Sequence, residues 1–269
     1  MLFSDIFLIT DVDGTLLTDD KRVSKKNMVA IREFTENGGI FTIATGRGVI
    51  GARPVVDELK IAAFTVLFNG AAIYDFAAKR FLWRGALPAY AADNVLLTVE
   101  HFPTLGVEVM HGEDVYITNT NRKVEEHLTY EIINPTRCPF SEIPPDSWIK
   151  AVLIDEPETI DKAAGFFARH CGGDVYLVCS QPGIIEILPR GVNKGTGMQK
   201  LLAISELSGR YTVAAGDYDN DIELLRFADL GVAVANAEAG VKAAADLIVA
   251  DNNSDAIWEI VEHLKIHST

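Results

Sequence analysis

Short apolar runs alternate along the chain with stretches whose apolar residues recur at helical spacing. Phe7-Leu8-Ile9 is the first run, the mark of a buried strand, and it stops at two acids, Asp11 and Asp13, with Gly14 supplying a turn. Ser24 is a suitable helix N-cap, Met28, Ile31 and Phe34 then recur at helical spacing, and Gly38-Gly39 ends the segment. A second strand over 40–44 ends at Thr45-Gly46-Arg47. A helix follows over 54–59, and a third strand over 64–68 is stopped by Asn69-Gly70. Strand, helix, strand, helix, strand with short links is the grammar of a parallel sheet covered on both faces.

The grammar then changes. Residues 71–83 read as a hairpin, 90–102 as a helix, and 106–110 with 115–119 as two strands around a turn. A helix over 122–130 leads into a Pro-bearing linker, 134–145. A strand over 148–154, a helix over 158–170 and a hairpin of 175–179 with 184–188 complete a block of neighbouring strands with its own helices. The earlier pattern resumes at Gly191, with helices over 196–204, 219–227 and 254–264 and strands over 211–215, 230–234 and 246–250. The prediction is an α/β core made of residues 1–83 and 189–269, interrupted by an inserted α+β module, residues 84–188.

Composition narrows the function classes. With 269 residues, 48% of them apolar and 23% charged, the chain is long enough for two domains and ordinary for a globular protein. No apolar run reaches the roughly 18–20 residues of a membrane span, and Asp5 and Asp11 interrupt an N-terminus that has no basic region, so neither a membrane partner nor a signal peptide is expected. Cys138, Cys171 and Cys179 are odd in number and form no C-x-x-C, which reads as reduced thiols in a cytoplasm. The six His (101, 111, 127, 170, 263 and 267) show no metal-ligand spacing and read as surface or packing residues. A formal net charge of −14 argues against nucleic acid as a partner. It still permits a small anion, if a few basic groups and a metal converge locally. Oligomeric state stays open.

Four constellations fall at strand ends or helix starts, where open α/β sheets bind ligands. Asp11 and Asp13, two residues apart, point the same way if the chain stays extended, and then require a cation or a shared proton. Thr45 offers a hydroxyl to an anion, and Gly46 lets the backbone approach it closely. Lys194 opens a helix within Gly191-Val-Asn-Lys-Gly-Thr-Gly197; a cation there opposes the helix dipole unless both share one anionic guest. Gly216-Asp217-Tyr-Asp219-Asn220-Asp221 places three acids in five residues after a strand, which suits a hard cation such as magnesium. Asp217 reads as the ligand and Asp219 as the helix cap. Gly46-Arg-Gly48-Val-Ile-Gly51 also satisfies G-x-G-x-x-G, but it follows the second strand and lacks the acid expected about 20 residues on.

Taken in order, Asp11-x-Asp13-Gly-Thr, Thr45, Lys194 and Gly-Asp217-x-x-Asn220-Asp221 resemble the four motifs of the haloacid-dehalogenase-like superfamily. The insertion between the second and third, with Asn69-Gly70-Ala71, Glu186-x-x-Pro189-x-Gly191 and Val232-x-Val-x-Asn236-Ala237, resembles its Cof-type sugar-phosphatase branch. Asp251-Asn-Asn-Ser-Asp255 departs from that branch, which usually has a glycine there; no chemical role is expected of it. The resemblance implies a Rossmann-like core with a large α/β cap and a magnesium-dependent phosphohydrolase acting on a small phosphorylated metabolite. Asp11 would be the nucleophile forming an aspartyl-phosphate, and Asp13, its pKa raised, the general acid and base. Mg2+ would be held by Asp11, the Asp13 carbonyl and Asp217, with Asp221 and Asn220 in support. Thr45 and Lys194 would hold phosphoryl oxygens, with Gly14, Gly46, Arg47 and Asn220 at the substrate's phosphate. A phosphomutase on the same scaffold and a non-catalytic phospho-ligand binder are the alternatives.

Overall fold

Phe7, Leu8 and Ile9 are all fully buried, as a strand covered on both faces requires. In this computed structural model, which describes residues 2–131, 134–171 and 173–266, they lie in β1 (Ile6–Thr10). Then come α1 (Lys25–Glu36), β2 (Ile40–Ile43), α2 (Val49–Leu59), β3 (Thr65–Leu67), β4 (Ala72–Asp75) and β5 (Arg80–Arg84). The second block holds α3 (Tyr90–His101), β6 (Gly106–His111), β7 (Asp114–Asn119), α4 (Arg122–Glu131), β8 (Thr136–Arg137), β9 (Trp148–Ile154), α5 (Pro157–His170), β10 (Val175–Gln181) and β11 (Ile184–Pro189). The chain closes with α6 (Lys194–Ile204), β12 (Tyr211–Gly216), α7 (Ile222–Phe227), β13 (Leu230–Val234), α8 (Ala239–Ala244), β14 (Leu247–Val249) and α9 (Ala256–Ile266).

Two compact units result: Met1–Gly46, Ala52–Trp83 and Asn193–Thr269 form one, and Arg47–Gly51 with Arg84–Val192 the other. In the first, five parallel strands run in the order β14-β13-β12-β1-β2, with β1 between β12 and β2. A parallel bridge from Ala44 to Val66 carries the sheet on to β3, which continues antiparallel through β4 and β5. Phe7, Ile9, Ala44, Val66 and Ala214 pack against Met198, Leu201 and Leu202 of α6 and Leu224 of α7. Ile6 and Leu8 alternate to the opposite face. Ser24 caps α1 by accepting from the Asn27 amide at 3.0 Å, as the sequence predicts.

The second unit is a six-stranded sheet, β10-β11-β9-β6-β7-β8. Alternate residues of its central strands (Val107, Val109, Ala151, Leu153, Ile185 and Ile187) join Val95 of α3 and Phe167 of α5 in one apolar core. Glu108, Val152 and Glu186 are register partners across β6, β9 and β11, so they share the other face. There Lys150 and Glu186 form a buried ion pair at 2.9 Å.

Several boundaries differ from the prediction. The helix expected from Pro54 begins at Val49, because a proline this near the start strips only the Ile50 carbonyl of its N–H partner. The stretch 134–145, read as linker, contributes β8, parallel to β7, through pairing that only the folded edge provides. The short α8 has one buried apolar residue, Val241, too few for a periodic signal. Residues 219–227 divide into a 3₁₀ turn, Asp219–Asp221, and α7. His267 lies outside the described residues. Among the described residues, no helix is long and apolar enough to cross a membrane.

Candidate active site

The carboxyl ends of β1, β2 and β12 and the start of α6 carry the residues that the sequence singles out. The β1 ladder ends at Thr10, and Asp11 follows with its amide on the Ala215 carbonyl of β12 at 2.9 Å. Its carboxylate is buried and accepts from Lys194 Nζ at 2.6 Å. The same ammonium donates to Asp221 Oδ1, also at 2.6 Å. Lys194 is the first residue of α6, capped by a reciprocal pair in which Asn193 Oδ1 accepts from the Thr196 amide. A lysine there opposes the helix dipole, and the two carboxylates compensate it.

Asp11, Asp217 and Asp221 each offer an oxygen, and these atoms lie within 4.8 Å of one another. Burial, above all, pushes the Asp11 carboxyl well up from its ordinary range; Lys194 opposes this, and Asp221, Asp217 and Asp13 add to it. Asp217 is pushed up to about 7 by burial and then by Asp221, with the Thr15 hydroxyl acting in the other direction. Burial alone would depress Lys194, but Asp11 and Asp221 hold it above its ordinary value. Three acids around one ammonium leave surplus negative charge in a buried place. That donor set, all hard oxygen, fits a divalent cation of the magnesium kind.

Asp13 departs from the extended geometry. The chain turns at Val12, and the Asp13 carboxylate, part-exposed, pairs with Lys21 at 3.3 Å. Gly14 has φ +82°, and a Cβ there would meet Asp217 Oδ2 at 2.4 Å, so only glycine lets this loop lie against that acid. The helix-cap assignment is corrected: Asp221 Oδ2, not Asp219, accepts the amides of Asp217 and Tyr218, at 3.0 and 3.2 Å. Asp221 follows both amides by three and four residues and is buried beneath them, whereas Asp219 is exposed.

Thr45 is buried just past β2, its carbonyl accepting from the Asn69 amide at 2.9 Å. Gly46 lies beside the Asn69 side chain, and Asn220 Nδ2 donates to Asn69 Oδ1 at 3.0 Å. Arg47 groups with the other unit and donates to the Gly51 carbonyl at 3.0 Å. Two residues of the site stood inside quoted motifs but were given no role by the sequence reading. Thr15 donates to Asp217 Oδ1 at 2.7 Å, and Asn69 is buried with φ +53°. A polar Asn after a strand, able to enter the left-handed region, was the available signal for the second.

The model of the haloacid dehalogenase-like hydrolases matches residues 8–261, nearly the whole chain. The chain belongs to this family. Its relatives include a 5-amino-6-(5-phospho-D-ribitylamino)uracil phosphatase of Bacillus subtilis, 26% identical over 96% of each chain. A pyridoxal phosphate phosphatase of Escherichia coli is also 26% identical, over 93% of this chain and 95% of its own. A solved structure of a subclass IIB sugar phosphatase of the superfamily superposes with a TM-score of 0.84 at 21% identity, covering 97% of this chain and 99% of that one, which shows a common fold. This haloacid dehalogenase-like hydrolase is therefore an enzyme, a phosphatase with a parallel-sheet core and an additional sheet region.

Proposed function

We propose that the protein is a magnesium-dependent phosphatase of small phosphate monoesters, sugar phosphates or similar, working through an aspartyl-phosphate. The observation that carries this reading is the cluster of Asp11, Asp217 and Asp221 around Lys194 at the strand ends. An Asp11 oxygen attacks phosphorus, the bond to the leaving oxygen breaks, and Asp13 supplies that oxygen with its proton. Asp13 then takes a proton from the water that attacks the phosphorus, which releases phosphate and regenerates Asp11. Thr45 and Lys194 donate to the phosphoryl oxygens, where charge must be neutralised during transfer. Gly14, Gly46, Arg47 and Asn220 complete the phosphate's surroundings. Asp11, the Asp13 carbonyl and Asp217 would hold magnesium, with Asp221 and Asn220 in support, and the ion would supply charge neutralisation.

Residues 84–188 we read as the cap that selects the leaving group, and the protein as cytoplasmic. The test is release of inorganic phosphate from a panel of sugar, nucleotide and cofactor monophosphates, with magnesium and with EDTA. Release that EDTA abolishes, and that Asp11→Asn lowers by roughly 10⁴-fold or more, is the expected result. Turnover surviving in Asp11→Asn overturns the covalent mechanism. An isomerised sugar phosphate without free phosphate assigns the scaffold to mutase chemistry instead.

A further inference from the structure

The loop that carries Asp13 leaves β1 and returns to α1 without regular secondary structure of its own, held internally by the Leu17 amide on the Val12 carbonyl at 2.9 Å. Local restraints also include the Asp13–Lys21 ion pair, the Thr18 amide on the Arg22 carbonyl and the bridge from Leu17 to Val23. A further set comes from more than 200 residues away. Asn252, 3% exposed, donates through Nδ2 to the Leu17 carbonyl at 3.0 Å and to Asp19 Oδ1 at 3.1 Å. Its backbone amide donates to Asn236 Oδ1 at 3.0 Å, and Asn236 Nδ2 donates to the Gly14 carbonyl at 2.8 Å. Asn253 grips Asp19 reciprocally: its Nδ2 donates to Asp19 Oδ2 at 3.1 Å, and its Oδ1 accepts from the Asp19 amide at 3.0 Å. The loop is thus fixed at three points, Gly14, Leu17 and Asp19; Thr15 lies within that span, and Asp13 immediately precedes its first anchor.

We propose that Asn236, Asn252 and Asn253 form a clasp that sets the position of the Asp11–Leu17 loop, with Asn252 as its central positioning residue. This rests on the proposed phosphatase reading for its kinetic consequences and on geometry alone for its structural ones. The path to the chemistry is short. Gly14 lies against the Asp217 carboxylate and Thr15 donates to it, so a displaced loop moves both Asp13 and Asp217's hydrogen-bond partner. The residue type matters as well. A carboxamide at 252 supplies two N–H donors from one nitrogen, one for a carbonyl and one for a carboxylate, whereas a carboxylate there would face Asp19 without a donor. Hydrogen bonds from Asn252 and Asn253 also hold the Asp19 carboxyl below its ordinary range. The stretch Asp251-Asn-Asn-Ser-Asp255, to which the sequence assigned no chemistry, acquires a role on this reading.

The test uses the full chain in two independent measurements. In the metal-free protein, Asn252→Ala should speed hydrogen exchange at the Gly14–Thr18 amides by about tenfold and leave β12 unchanged. In the assay, the same variant should raise the half-saturating magnesium concentration and lower kcat by about tenfold each, with KM for the ester within about threefold. Asn252→Asp should behave alike, and adding Asp19→Asn to it should recover part of the loss, because a donor then faces the new carboxylate. A lowered melting temperature with unchanged loop exchange, unchanged magnesium dependence and unchanged kcat overturns the proposal, since that is what mere packing predicts. If Asn252→Ala does not fold, Asn253→Ala, on an exposed residue, should shift the same readouts in the same direction; no shift there overturns the clasp. Should the wild-type protein release no phosphate, the proposed function falls, and the exchange measurement still decides the clasp.

Discussion

At the scale of single residues, the site is governed by burial acting on charge. Asp217 keeps its proton up to about pH 7 in the folded, metal-free chain, whereas an unfolded aspartate releases it near pH 4. The folded state therefore binds more protons than the unfolded state across that interval, and Asp217 makes stability decline as the pH rises from about 4 to about 7. Thermal unfolding of the metal-free protein should show it: the advantage of Asp217→Asn over wild type grows through that window and is largest at neutral pH. A difference that is flat with pH, or that shrinks as the pH rises, refutes this account of the cluster. Asp11 is pushed in the same direction. The motif spacing could nominate these acids, but not say that burial dominates the balance.

At the scale of elements, the decisive junction joins the end of β3 to the start of α6. Gly70 has φ +96°, and a Cβ on it would stand 2.0 Å from the Asn193 carbonyl, one residue before Lys194. Gly70→Ala must shift the first turn of α6, and Lys194 with it, or strain the backbone. We expect a loss of roughly 2 kcal/mol or more in chemical denaturation together with a fall in kcat, whereas Gly209→Ala, with nothing within 4 Å of its added Cβ, should alter neither. Removing the ammonium itself, as in Lys194→Ala, leaves two buried carboxylates facing one another and should cost about 3–5 kcal/mol. Most elements of the core were legible, because parallel strands buried on both faces announce themselves as apolar runs. The early start of α2, the edge strand β8 and the short α8 were not, since their existence depends on neighbours rather than on periodicity.

For the whole molecule, the two compact units predict two responses to magnesium. A ligand that binds only the folded state of one unit adds RT ln(1 + [L]/Kd), about 2.7 kcal/mol at one hundred times Kd. Hydrogen exchange at β1 and β12, which carry the acids, should therefore slow when magnesium is added. Exchange at β9 and β11, in the other unit, should keep its rate. Equal slowing in both would mean that the units open as one. The net charge of −14 belongs to this scale too. It would repel a phosphate ester at a distance, so the proposed function requires the few basic groups and a metal to supply the local attraction.

The sequence by itself determined the class of fold, the family and most of the acids, because each is written locally: an apolar run, an acid pair after it, a glycine at a turn. Tertiary structure alone decided which groups meet. It closed Asp11, Asp217 and Asp221 around Lys194, put Asp221 rather than Asp219 beneath two backbone amides, and brought Asn236, Asn252 and Asn253 onto a loop more than 200 residues earlier. The reason is physical. Hydrogen bonds and charge pairs act over a few ångströms, and distance in space is the quantity that a linear pattern does not carry.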